Sequence, residues 1–218
     1  MEHSGALQLY GNASVSYTID AMVRTDVELM LQVKAGDDES FNLLLQKYRT
    51  PLVNFLFRMV KEKATAEDLA QEVFLRVYRA RKQYSPSAKF TTWMFRIATN
   101  LALNSVRDNR HRQMDVSIDA PLEEDEKPVQ LPTREMRIDE HMIERDRSEF
   151  IRRTIQALPE KQRVAVLLHK YEEMDYAEIA KILDCSESAL KSLLFRAYET
   201  LRVQLAPLVG QRSGEGRQ

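Results

Sequence analysis

AEDLAQEVFLRVY, residues 66–78, reads as an amphipathic helix with two distinct working edges. Leu69, Val73 and Val77 recur every four residues, and Ala70, Phe74 and Tyr78 run beside them, so one wide stripe is apolar and seeks a core. Thr65 precedes the run and Asp68 sits three residues on, a T-x-x-D variant of the capping box; such a cap contributes about 1 kcal/mol. Asp68, Gln71, Glu72 and Leu75 fall on another edge. Three polar or acidic groups followed one turn later by an apolar residue suit docking onto a basic helical partner, although the segment standing alone reads first as an ordinary solvated face.

Downstream, Ser85 and Pro86 break the pattern, and KFTTWMFRIATNLALNSVRDNRHR, residues 89–112, resumes it as a helix capped at Thr91 or Thr92. Its basic end suits the negative pole of a helix. Lys89, Arg96, Arg107, Arg110 and Arg112 face a single anion, Asp108, in a chain whose formal charge is −1. Cations interleaved with Phe90, Trp93 and Phe95 fit a surface for single-stranded nucleic acid, where charge tracks phosphates and aromatic faces stack on bases. The helical spacing also assigns at least one of Trp93 and Phe95 to the core.

The remainder frames these two helices. A chain of 218 residues, 44% hydrophobic and 30% charged, is long enough for two small globular domains with real cores. Only six glycines occur, three of them in the last nine residues, which disfavours turn-rich β architecture; the expected fold is all-α. One cysteine, Cys185, excludes an internal disulfide framework and fits a reducing compartment. No run of 18 apolar residues and no basic-then-apolar leader is present, so a cytoplasmic location is expected. Residues 1–23 are assigned no stable structure. A short helix should start at Asp26 and stop at Gly36, and a longer one should start near Glu39 with Phe41, Leu44, Leu45, Tyr48, Leu52, Phe55, Leu56 and Met59 inward. Pro51 is expected to kink or split it, at a cost of about 3 kcal/mol.

Residues 113–146 read as a flexible linker, with Pro121, Pro128, Pro132 and the acidic run Glu123, Glu124, Asp125, Glu126. Such a length extends to about 110 Å at most but averages about 30 Å as a relaxed coil. Two turns of duplex measure about 70 Å. Beyond it, residues 147–205 read as four helices near 147–157, 159–171, 175–184 and 187–205, followed by a disordered tail from 207. Pro159 suits a first helical position, Asp175 with Glu178 makes a capping box, and Ser186 caps the last helix. Ile179, Ile182, Leu183, Leu190, Leu194 and Leu201 supply the buried faces. A short helix, a tight turn at Cys185 and Ser186 and a longer helix form a helix-turn-helix, whose last helix enters a major groove by its N-terminal end. Catalysis finds no footing: there is no Gly-rich phosphate loop, no H-E-x-x-H and no zinc-spaced Cys and His. His169 beside Glu172 and Glu173 reads as a solvated cluster, and Cys185 as a packing residue. No cofactor, metal or small-molecule substrate is expected, and the protein is not expected to be an enzyme.

In combination these motifs resemble the extracytoplasmic-function group of bacterial sigma factors, domain two over residues 24–112 and domain four over 147–206, the latter most specifically in LPEKQRVAVLLHKYEEMDYAEIA, residues 158–180. The resemblance implies that Asp68, Gln71, Glu72 and Leu75 bind core RNA polymerase at its clamp. It implies that Lys89, Trp93, Arg96, Asn100, Asn104 and Arg107 read and open the minus-ten promoter element, with the loop from Gln83 to Lys89 holding a flipped non-template base. Ser188, Lys191, Ser192, Phe195 and Arg196 would face the minus-thirty-five element, unless Phe195 packs the core. The linker would run through the polymerase cleft, and an anti-sigma factor, often membrane-anchored, would be a further partner in a stress or envelope response. Three departures stand out. Housekeeping sigmas carry a tandem tryptophan pair where this chain has Arg96 and Ile97, which implies weaker melting and stricter promoter choice. Asn104 stands where many members have aspartate, and Lys191 where arginine is frequent; a lysine lacks the bidentate guanidinium fork. A mimic that binds an anti-sigma factor, an activator using the helix-turn-helix alone, and a nucleic-acid enzyme, for which no catalytic constellation appears, remain as alternatives.

Overall fold

The computed structural model describes residues 24–116 and 138–210. Those residues form α-helices joined by short turns and one 3-10 turn, with no strand among them. Helix α1, Asp26–Ala35, opens on a capping box in which Thr25 and Glu28 exchange hydrogen bonds, and stops at Gly36, whose φ of 105° is left-handed. Helix α2, Asp38–Val60, runs unbroken through Pro51, so of the expected kink or split the split does not occur. The carbonyl that Pro51 cannot serve belongs to Lys47, which is exposed, so water can satisfy it, while Leu44, Leu52, Phe55, Leu56 and Met59 hold the helix against the core.

Helix α3, Lys63–Arg79, starts a turn earlier than expected. Glu62 is its N-cap and makes no side-chain cap, and the Thr65 hydroxyl donates to the Glu62 carboxylate; the Thr65–Asp68 capping box is therefore not formed. Lys63 and Ala64 are good helix formers and extend the helix past the threonine. A 3-10 turn, Arg81–Gln83, leads to helix α4, Phe90–Val116. Thr91 and Thr92 lie inside α4 rather than capping it, and Thr92 is buried. The first domain closes around Phe55 and Phe95, whose rings meet edge-on at 5.3 Å, and around Phe41 against Phe74 and Tyr78. Phe95 is thus a core residue.

The second domain comprises α5, Ile138–Gln156; α6, Glu160–Lys170; α7, Tyr176–Leu183; and α8, Glu187–Gly210. Residues 138–146, expected in the linker, are already helical. Pro159 is the N-cap of α6, with φ −51° and ψ 143°, one position ahead of its expected place. Asp175 and Glu178 form their capping box, and Ser186 accepts a bond from the Ala189 N–H at the start of α8. The turn between α7 and α8 is made by Asp184 in the left-handed region. Ile179, Ile182, Leu183, Leu190, Leu194 and Leu201 are all buried. Helix α8 continues through Pro207, whose unserved carbonyl partner, Val203, is 66% exposed and open to water, so the chain does not lose its helix at 207. The expected tails and the acidic run at 123–126 lie outside the described residues.

The two domains pack against each other, α4 on α7 and α2 on α6. Polar side chains of the second domain meet the ends of helices of the first. Gln156 donates to the carbonyl of Arg58, and Arg163 donates to that of Met59 at 3.4 Å, both in the last turn of α2. At the first turn of α4, the Glu178 carboxylate accepts from Thr92 at 3.1 Å and pairs with Lys89 at 3.2 Å. Cationic or amide donors at a C-terminus and a carboxylate at an N-terminus both match the helix dipole.

Candidate functional site

Helix periodicity sorts the candidate residues into three surface stripes. On α3, Asp68, Gln71 and Leu75 are exposed and Glu72 is half-buried; Glu72 accepts from Arg76 at 2.6 Å one turn on. Leu75 is 48% exposed, a large apolar side chain left in water. It borders a groove of about 600 Å³ between α2 and α3, whose apolar walls are Phe41, Leu45, Val53, Phe74 and Tyr78. The groove escaped the sequence reading. Its signal was there, since Phe41 and Leu45 were placed inward yet lie only partly buried beside the over-wide stripe of residues 69–78.

On α4, Arg96, Asn100, Asn104 and Arg107 are exposed at helical spacing, and Trp93 continues the stripe towards Lys89. Trp93 is partly buried, its ring 5.3 Å from Tyr84 and 6.3 Å from Phe90. The preceding loop is anchored by Lys34, which donates to the Tyr84 carbonyl at 2.8 Å. Tyr84 is buried, and its hydroxyl has no protein partner; burial raises its phenol above the ordinary range. Together Gln83, Ser85, Ser87, Trp93 and Arg96 line a cleft of about 450 Å³, and Lys181 of α7 forms part of its wall. A cleft with an aromatic wall, hydroxyls, an amide and a guanidinium can both stack a base and hydrogen-bond its edge.

On α8, Ser188, Lys191, Ser192, Phe195 and Arg196 share one exposed face at the N-terminal half of the second helix of the helix-turn-helix. Phe195 is 68% exposed, which excludes a core role for it. Ser192 donates to the Ser188 carbonyl, and Arg196 to that of Ser192, so both side chains are held along the helix at rest.

His169 does not gather with Glu172 and Glu173 around a metal; its Nδ1 meets the Tyr198 hydroxyl at 2.7 Å, and burial, then Lys170, lowers its pKa. Among the described residues no group of three potential ligands is arranged for a metal ion. None of the described helices is long and apolar enough to cross a membrane.

Residues 44–112 match the Sigma-70 region 2 family, and residues 149–201 match Sigma-70, region 4. The RNA polymerase sigma-H factor of Pseudomonas aeruginosa is 35% identical over 190 residues, covering 84% of this chain and 95% of that protein. The ECF RNA polymerase sigma-E factor of Escherichia coli K12 is 32% identical over 186 residues, covering 85% and 96%. In three dimensions the chain is similar to CnrH, solved with the cytosolic domain of CnrY, at a TM-score of 0.60 and 18% identity over 82% of this chain and 96% of that one. The sigma factor RpoE of Bartonella quintana, solved with the anti-sigma factor NepR, gives 0.58 and 19% over 77% and 98%. With two family regions in order and relatives matched over nearly their full length, the chain belongs to the extracytoplasmic-function group of the sigma-70 family of RNA polymerase sigma factors.

Proposed function

We propose that the three stripes divide the work of this sigma factor: α3 docks on core polymerase, α4 with its preceding cleft takes the minus-ten element, and the N-terminal half of α8 takes the minus-thirty-five element. The protein is a non-enzymatic initiation factor that gives core polymerase its promoter specificity, as its family membership implies. Residues 24–112 then form domain two and 147–206 domain four, with 113–146 joining them. The observation that carries the reading is the separation of the stripes: Asp68, Gln71 and Leu75 point to water from α3, while Arg96, Asn100 and Asn104 do so from α4.

The cationic and amide stripe on α4 suits a non-template strand, with Trp93 and Tyr84 as the stacking wall. Ser188, Lys191, Ser192 and Arg196 present donors, and Phe195 an apolar face suited to a thymine methyl, where α8 enters a major groove. The apolar groove beside Leu75 suits a helix of polymerase or of an anti-sigma factor, the class of partner with which the Bartonella protein was solved. An anti-sigma factor anchored in a membrane, release under envelope or other stress, and action in the cytoplasm complete the reading.

Replacing Asp68 and Glu72 together with alanine in the full chain tests it. Core-polymerase binding is lost while affinity for duplex DNA is unchanged; equal polymerase affinity in variant and parent refutes the α3 assignment. Run-off transcription of fragmented host DNA by sigma-free core polymerase, with and without the protein, should yield new starts sharing two upstream elements.

A further inference from the structure

We infer that a pocket walled by both domains is a binding site for a small anion with two linked phosphoryl groups, a free diphosphate or the diphosphate part of a nucleotide. The pocket is separate from the three stripes, none of whose residues lines it. Its volume is about 450 Å³, within the range of small-molecule sites. The first domain supplies the end of α2, the start of α3 and the later turns of α4, and the second supplies Gln156 and Arg163.

A buried charge at this pocket lacks a counter-ion. Arg163 is 8% exposed, and its terminal nitrogens donate only to neutral acceptors. These are the Met59 carbonyl at 3.4 Å, the Leu158 carbonyl at 3.1 Å and the Gln156 side-chain oxygen at 3.1 Å. Its Nε has no partner. Glu160, the acid of the same helix, approaches Arg107 and Arg110 instead. A guanidinium taken out of water needs a full opposing charge, and the carbonyls at the end of α2 supply a fraction of one.

Further positive groups converge on the same space. Lys61, Arg110 and Arg112 line it with Arg163, against one lining carboxylate, Glu62. Of these cations only Arg110 has an ion-pair partner among the described residues, Glu160 at 3.8 Å. The N-terminus of α3 also opens here: its N-cap, Glu62, makes no side-chain cap, and no acid occupies the first turn. The positive pole of a helix of seventeen residues is thus left unanswered. Guanidinium forks match phosphoryl oxygens in pairs, and Asn109 adds an amide donor on the α4 wall. The cations stand on walls from three helices and a turn, around more space than one phosphoryl group fills. Two linked groups reach both sides.

The test is calorimetric titration of the full chain with inorganic pyrophosphate in phosphate-free buffer at physiological salt. A single-site isotherm is expected, with inorganic phosphate binding about tenfold or more weakly in the same buffer. Arg110→Gln with Arg112→Gln, both exposed positions, should weaken pyrophosphate by about tenfold or more. Arg76→Gln with Arg79→Gln removes the same charge at the far end of α3 and should leave the affinity within about twofold of the parent. Far-UV circular dichroism and melting confirm that the variants fold; for a pair that does not, Lys61→Gln takes its place with the same refuting results. Absence of saturable binding overturns the site, and an equal loss in both double variants overturns its location. Phosphate binding as tightly as pyrophosphate overturns the diphosphate class. A mixed-sequence 20-base-pair duplex that displaces pyrophosphate, and is itself weakened by Arg110→Gln with Arg112→Gln, overturns the small ligand in favour of a phosphate of DNA.

Discussion

Leu75→Ala isolates the apolar part of the polymerase-docking edge. Complete burial of a leucine side chain contributes about 1.5–3 kcal/mol. Leu75 is 48% exposed, so covering what remains contributes roughly half of that, about 0.7–1.4 kcal/mol. That range corresponds to a Kd weaker by about 3- to 10-fold. Leu31 on α1 supplies the control, being 41% exposed at a position outside the three stripes. The assay is anisotropy of protein labelled at Cys185, its single cysteine, titrated with sigma-free core polymerase. Leu75→Ala should weaken binding within that range and Leu31→Ala should leave it alone. Equal Kd values for parent and both variants refute the reasoning; so does an equal loss in both, which would indicate a general effect of truncation.

Three further outcomes follow from single positions. Phe195→Ala, at a side chain 68% exposed, should leave the melting temperature within a degree or so yet weaken duplex binding in filter or anisotropy assays; a large fall in stability would restore it to the core. Gly36→Ala should lower stability by about 1 kcal/mol in chemical unfolding, because φ is 105° there even though a Cβ would meet no atom within 4 Å. Burial pushes the Glu172 carboxyl up to about 7, with Arg58 opposing, so the folded state holds its proton more tightly than the unfolded chain does. The stability this contributes is full below about pH 4.5 and is lost as pH rises to about 7; Glu172→Gln should flatten that part of a urea-unfolding pH profile.

Elements whose cause is local were legible in sequence. The Asp175–Glu178 box, the Ser186 cap and the glycine stop at Gly36 all depend on residues within one turn, and each formed as read. The Thr25–Glu28 box was equally legible, as a T-x-x-E ahead of an apolar run, and was missed. Thr65 misled because helix propensity at Lys63 and Ala64 outweighed a side-chain cap. Pro51 does not split its helix because a lost backbone bond costs little where water replaces it and tertiary packing holds the helix. The stripes themselves could be counted out by period, since exposure on a helix follows from its neighbours in sequence. The groove between α2 and α3, and the meeting of α4 with α7, could not be. Both depend on how distant helices pack, and Thr92 and Glu178 are 86 positions apart.

The pairing of Lys89, Arg107 and Arg110 with Glu178 and Glu160 also bears on how the free protein meets the bulk of a chromosome. Non-specific binding draws on counterions released when cations neutralise phosphates, and its salt slope is about 0.9 per phosphate contact. Three cations paired with carboxylates of the same chain, 56–69% exposed, contribute less to that slope, by at most about 2.7. Between 200 and 50 mM salt a chain with these pairs intact therefore forgoes up to roughly 40-fold of the gain in affinity that one without them would make.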